Sequence, residues 1–252
     1  MSSAPGRRKR RRAAAALRVL GMDIGGSYLK AAVVDATGRM LTGRLKLNTP
    51  DPCPPKVMVR ALLQLVRPLT GYNHLAIGFP GVVRGGRVLT APHWDNSKWA
   101  NFALASTLSQ RLGDVPARLI NDAEMQGLAV IRGRGLELVL TLGTGAGTGL
   151  FRDGQIMPHL ELAHHPLHKG DTYNDYLGDA ARKRIGRKRW NKRVAHTIDV
   201  LRALLNYDHL FIGGGNASRV NVRLPANATL VSNDAGIDGG AALWRPGRPP
   251  PL

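Results

Sequence analysis

Thr141–Gly149 reads TLGTGAGTG, with glycines alternating with Thr144, Ala146 and Thr148 directly behind the apolar run Leu136–Leu142. That run reads as a buried strand, and Leu150-Phe151 followed by Asp153-Gly154 continues it into a hairpin turn. Glycines at 143, 145, 147 and 149 leave the backbone free for positive φ and for close approach to a ligand. Thr144 and Thr148 add hydroxyl donors, and the N–H groups of such a loop form a concavity suited to phosphate. A bulged hairpin would read the same way. The spacing is not a P-loop, since no Lys-Ser/Thr follows, nor G-x-G-x-x-G, since Thr148 stands where the last glycine belongs. What favours phosphate is that two more glycine turns follow strand-like runs, Asp23-Ile24-Gly25-Gly26-Ser27 and Phe211-Ile212-Gly213-Gly214-Gly215.

The chain around this loop has 252 residues, 43% hydrophobic and 21% charged, a globular composition with room for one large domain or two lobes. Its net charge is +19, of which Arg7–Arg12 carries six. Such a field favours a polyanion as partner: nucleic acid, anionic lipid or polyphosphate. A solubility or targeting tail is the plainer alternative. Cys53 is the one cysteine, so neither a disulfide nor a cysteine-based metal site is expected. No apolar run reaches the length of a membrane span, and the basic start lacks a signal peptide's unbroken apolar segment; a cytoplasmic protein is expected.

Residues 1–17 read as a disordered basic arm and 246–252 as a loose tail. Arg18–Met22, Leu29–Val34 and Met40–Leu47 read as a β-meander whose first turn carries Asp23. An Asp at a strand end before two glycines can hold hydrated Mg²⁺ while loop N–H groups hold phosphate; an ordinary hairpin with a turn Asp is the alternative. Val57–Leu69 reads as a helix, His74–Gly78 as a strand and Val82–Leu89 as a hairpin. Thr90–Trp99 is irregular and offers His93, Trp94, Asp95, Asn96 and Trp99, which suit a sugar or simply pack. After a helix over Phe102–Leu112 and a strand over Pro116–Ile120, Asn121-Asp122-Ala123-Glu124 opens a helix running to about Arg132. Asn121 is a good N-cap. Asp122, at the carboxyl end of a strand, is placed to accept a proton from an attacking hydroxyl.

Four histidines between 159 and 168 favour hydrogen bonding or packing over metal, given no cysteines and no regular ligand spacing. Arg182, Lys183, Arg184, Arg187, Lys188, Arg189, Lys192 and Arg193 open an amphipathic helix that continues through Leu205. This density reads as a track for an anion longer than one phosphate, or as a solvated basic face. His209–Ile212 and Thr229–Ser232 read as strands and Gly239–Leu243 as a short helix.

The three glycine turns, in order, resemble the actin-like ATPase superfamily of sugar kinases, an α/β fold of two lobes with a cleft between them. Gly78-Phe79-Pro80-Gly81, Asn121-Asp122-Ala123, Glu161-Leu162-Ala163-His164 and Asn233-Asp234-Ala235-Gly236-Ile237 narrow the resemblance to the ROK family (repressors, open reading frames and kinases), and within it to the polyphosphate-using glucokinases. The resemblance covers about residues 18–245. It implies an N-terminal lobe over 18–120 and a C-terminal lobe over 121–245, with the last helix able to pack back on the first. It also implies phosphoryl transfer to the 6-hydroxyl of a hexose, with inorganic polyphosphate or ATP as donor.

By the same resemblance Asp122 is the general base and Asn121, Glu161 and His164 hold sugar, with Asn96 a further candidate. Asp23 organises Mg²⁺. Gly25, Gly26, Ser27 and Lys30 border one side of the phosphate site, Gly143, Thr144 and Gly145 the other, and Gly214 and Gly215 belong to the wall behind it. Arg182, Lys183, Arg187, Lys188, Arg189 and Lys192 form the polyphosphate track. No zinc is expected, because the family's cysteine cluster is absent, and Ala163 replaces its usual Gly. A further sugar-binding Glu of the family has no evident counterpart, and Asp171 and Asp175 are the acids nearest to hand. A homodimer is implied. The alternatives are a strictly ATP-dependent hexokinase and a non-catalytic, sugar-responsive nucleic-acid-binding protein; only about 17 residues precede the first strand, too few for a helix-turn-helix domain.

Overall fold

The computed structural model describes residues 16–232 and 235–245. The arm's first fifteen residues, Asn233, Asp234 and the tail from 246 lie outside the described residues. The chain begins with β1 (Arg18–Ile24), β2 (Tyr28–Asp35) and β3 (Leu45–Asn48), then α1 (Pro55–Val66) and β4 (His74–Phe79). The hairpin β5 (Val83–Arg84) and β6 (Arg87–Val88) follows, then α2 (Asn96–Trp99), α3 (Leu104–Arg111) and β7 (Ala117–Asn121). These strands form a sheet of order β3-β2-β1-β4-β7, antiparallel through β1 and parallel from β1 to β7.

The second half repeats the plan. It contains α4 (Asp122–Val130), β8 (Leu136–Leu142), β9 (Ala146–Arg152), β10 (Gln155–Ile156), β11 (Pro166–His168), β12 (Asp171–Thr172), α5 (Tyr173–Leu177), α6 (Asp179–Leu205), β13 (His209–Gly213), β14 (Ala228–Leu230) and α7 (Ala235–Ala242). Its sheet runs β10-β9-β8-β13-β14, again antiparallel at the start and parallel across β8, β13 and β14. This is the actin-like arrangement of two related α/β lobes.

Each lobe has its own core, around Met58, Leu62 and Trp99 in the first and Tyr173, Trp190 and Leu201 in the second. A third core lies between the sheets, where α4 and α7 bring Met125, Ile237 and Ala241 against Val19, Ala76, Val139 and Phe211. The two helices cross so closely that a Cβ at Gly239 would run into the Met125 carbonyl.

Two readings need correction. The third strand is not Met40–Leu47 but β3, four residues long. Thr42 Oγ1 accepts the Val33 N–H at 3.0 Å and so takes a bond the ladder would otherwise use; Met40 keeps only an isolated bridge to Val34. The basic helix is also not continuous: Gly186 (φ 78°, ψ 161°) breaks α6 between Arg184 and Arg187.

Candidate functional site

The carboxyl ends of the parallel strands in both sheets meet at one open cleft of about 450 Å³, a size suited to a small-molecule substrate. Asp23, Gly25, Gly26, Ser27 and Lys30 reach it from the first lobe, and Gly143, Thr144, Gly145, Gly214 and Gly215 from the second. Asn121, Asp122, Glu161 and His164 line it as well. The glycine loops touch across it, with Ser27 Oγ 3.4 Å from Thr144 Oγ1.

Asn121 serves as the N-cap of α4. Its Oδ1 accepts the Ala123 and Glu124 N–H groups at 2.9 and 3.3 Å, and Glu124 Oε2 accepts the Asn121 N–H at 3.4 Å, closing a capping box. Its Nδ2 donates to the Gly81 and Phe79 carbonyls at 3.3 and 3.5 Å. Asn121 is therefore committed to the backbone on both sides, which fixes where Asp122 stands.

Asp122 is half-buried, and its Oδ1 accepts the Ala123 N–H at 2.9 Å. Burial, then the negative charge of Asp23, and in smaller part that of Glu161, push its carboxyl up to about 7, against the hydrogen bond from Ala123. A carboxyl balanced near neutrality in a cleft is the property a general base needs.

Asp23 sits opposite Lys30 across β1 and β2, and Lys30 Nζ donates to its Oδ2 at 3.0 Å. Among the described residues, the N–H groups of Gly26, Ser27, Thr144 and Gly145 have no intramolecular acceptor, although all four residues line the cleft. That is the donor set a phosphate requires. The four glycines of 143–149 keep ordinary φ; their use is close approach. A Cβ at Gly145 would meet the Asn174 amide, whose Oδ1 accepts the Ala146 N–H at 2.8 Å. Positive φ occurs instead at Gly214 (85°), where a Cβ would strike the Leu142 backbone. Thr148 turns away and donates to the Leu160 carbonyl at 3.1 Å.

Several expected positions are not brought to the cleft. Asn96 is exposed, and its Oδ1 accepts the Ala91 N–H at 2.7 Å; Pro92 and His93 line the cleft instead. Trp99 is fully buried against Phe79, Trp94 and Phe102, so packing explains the tryptophans. Asp171 and Asp175 are not cleft residues: Asp175 closes the capping box of α5 with Thr172, and Asp171 stands 3.9 Å from Arg193. The histidines are dispersed. His164 lines the cleft, His159 lies between Glu124 and Glu161, and His165 and His168 face Tyr173 and Tyr176.

None of the six track cations lines the cleft. Arg182 and Lys183 instead bind the Asp179 carboxylate at 2.6 and 2.8 Å. Their hydrogen bonds, Lys183's foremost, hold that carboxyl down at about 2. Arg187, Lys188, Arg189 and Lys192 are exposed, with no ion pair among the described residues. The lining also includes Tyr28, Lys46, Gln126, Asn174 and Asp179, which sequence reasoning did not select. Lys46 on β3 pairs with Lys30 on β2, and its ammonium lies 3.4 Å from the centre of the Tyr28 ring.

A ROK family model matches residues 19–161. Polyphosphate glucokinase of Mycobacterium tuberculosis is 32% identical over 238 residues, spanning 88% of this chain and 89% of that protein. The chain belongs to the ROK family. Among solved structures, inorganic polyphosphate/ATP-glucomannokinase from Arthrobacter sp. strain KM superposes with a TM-score of 0.79 at 29% identity, covering 89% of this chain and 97% of that one. A ROK family glucokinase from Streptomyces griseus, solved with glucose and AMPPNP, shares the fold at a TM-score of 0.75 and 20% identity, over 91% of this chain and 100% of its own. Among the described residues, no helix is long and apolar enough to cross a membrane.

Proposed function

We propose that this chain transfers the terminal phosphoryl group of inorganic polyphosphate, and also of ATP, to the 6-hydroxyl of glucose or a related hexose. The observation that carries this reading is the meeting, in one cleft, of a half-buried carboxyl near neutrality, Asp122, with two glycine loops whose amides lack acceptors. Family membership and the relatives' names supply the substrate classes.

The hexose lies against Asp122, Glu161 and His164. Asp122 takes the 6-hydroxyl proton as that oxygen attacks the terminal phosphorus. The bond from phosphorus to the bridging oxygen breaks, and the shortened donor leaves with its electron pair. The loops at 25–27 and 143–145 hold the donor phosphates in line, and most of the acceleration comes from positioning and charge neutralisation.

Mg²⁺ typically takes one or two carboxylates and completes its shell with water and phosphate. Asp23, a hard oxygen ligand beside the free amides, fits that demand and would hold it, sharing its carboxylate with Lys30. When bound, the ion supplies neutralisation of charge between the donor phosphates. Lys46 on the first lobe and the exposed half of α6 on the second offer cations to a chain longer than one phosphate. The reading extends to a cytoplasmic homodimer, as the family resemblance implies.

The test is phosphorylation of glucose with Mg²⁺ and either polyphosphate or ATP as sole donor. Turnover with both donors supports the reading in full, and turnover with polyphosphate but not ATP keeps the track and narrows the donor. Turnover with ATP alone keeps the kinase and removes the track. Turnover with neither donor on any hexose overturns it.

A further inference from the structure

His159 does not line the cleft, yet it joins two carboxylates that frame it. Its Nδ1 stands 2.8 Å from Glu124 Oε1 and its Nε2 3.3 Å from Glu161 Oε2. A neutral imidazole carries one N–H donor, so one contact would then set a ring lone pair against a carboxylate oxygen. Both contacts are favourable only for the imidazolium. Burial opposes that charge, but the hydrogen bonds the ring donates to Glu124 and Glu161 outweigh it and lift the ring to about 9. The charged groups facing the ring are Glu124 from α4 and Glu161 from its own segment.

Glu124 is itself fixed, since its other oxygen closes the capping box that places Asp122. Glu161 is not fixed by its own element: it precedes the single turn Leu162–His164 and caps nothing with its side chain. Among the described residues, His159 is the one group bonded to its carboxylate. We propose that His159 is a positioning residue for the hexose, an imidazolium clamp that locks the Glu161 carboxylate to the α4 N-terminus and so sets its place relative to Asp122. This rests on the kinase reading above, with Glu161 as a sugar ligand. A free glutamate would have to be ordered at each binding event, and that cost falls on sugar affinity, not on the donor.

The experiment uses the full chain with His159→Phe, His159→Gln, Glu161→Gln and the double variant His159→Phe/Glu161→Gln, measuring kcat and KM for glucose and for the phosphoryl donor. His159→Phe is expected to raise the glucose KM about tenfold with the donor KM changed less than about twofold. His159→Gln, which keeps an N–H donor, recovers part of the loss. In the Glu161→Gln background, His159→Phe adds less than about threefold, because its target is already gone. Equal changes in both KM values, or full multiplication of the two single effects, would overturn the clamp. Should His159→Phe not fold, a wild-type glucose KM in His159→Gln overturns it and a raised one supports it. A wild-type chain that phosphorylates no hexose removes the kinase reading and the clamp with it. Wild-type turnover with an unmoved glucose KM in the variants removes the clamp alone.

Discussion

The two sides of the cleft are built by different means. On the side assigned to the sugar, side chains do the holding: Asn121 and Glu124 bond the backbone at the start of α4, and His159 spans Glu124 and Glu161. On the side assigned to the donor, the surface is mostly backbone, shaped by glycines and pinned by a few amides such as Asn174 and Asn216. The first kind of site depends on residue identity and protonation. The second depends on where a Cβ can fit, and the charges around it stay loose. Under the proposed reading, one half would recognise a particular ring while the other would accept phosphate chains of different kinds.

The sharpest way to break this contrast is Asp122→Ala, expected to lower kcat about 10³-fold with the melting temperature nearly unchanged. Near-normal turnover would remove the base from the sugar side. On the donor side, Gly214→Ala should cost about 2–3 kcal/mol in urea unfolding, because its φ is 85° and its Cβ meets the Leu142 backbone. Gly143→Ala, whose Cβ meets nothing within 4 Å, should leave stability within about 1 kcal/mol of wild type and raise the donor KM. Equal destabilisation by both would undo the claim that backbone shape makes this side.

Replacing Arg187, Lys188 and Arg189 by Gln should raise KM for long polyphosphate about tenfold, more at low salt, with little change for ATP. Equal effects on both donors would count against the exposed part of α6 as a track. A further effect is expected in pH. As the proposed base Asp122 would work as its carboxylate, and a carboxyl that titrates at about 7 loses that form as pH falls. Activity should therefore drop about fourfold between pH 8 and 6.5 and about tenfold per unit below that. A flat profile from pH 5 to 8 would show that the charged form is held by something the cleft gains on binding substrate.

The parts of this molecule that were legible in the sequence are those whose causes are local. Apolar runs gave β4, β8 and β13 within a residue or two, and the Asn121 cap announced α4. What escaped depends on distant partners. Asn174 reaches the central loop across 28 residues, and His159 meets Glu124 across 35. Asn96 looked like a sugar ligand by type, yet the backbone amide of Ala91, five residues away, claims it. Gly186 lies inside the run of eight cations, and its positive φ breaks the helix there.

The helix α7 has a consequence for how the chain comes to be folded. Val19, Ala32 and Ala76, on the face of the first sheet that looks toward the second lobe, share a core with Ile237, Ala241 and Leu243. α4 covers the β4 side of that face, but the part over β1 and β2 stays uncovered until α7 has been made. Closure of the first lobe's core therefore depends on a helix that follows the second lobe's sheet in the chain. A truncation after Leu230 should leave a sticky, chaperone-dependent fragment and not a working half.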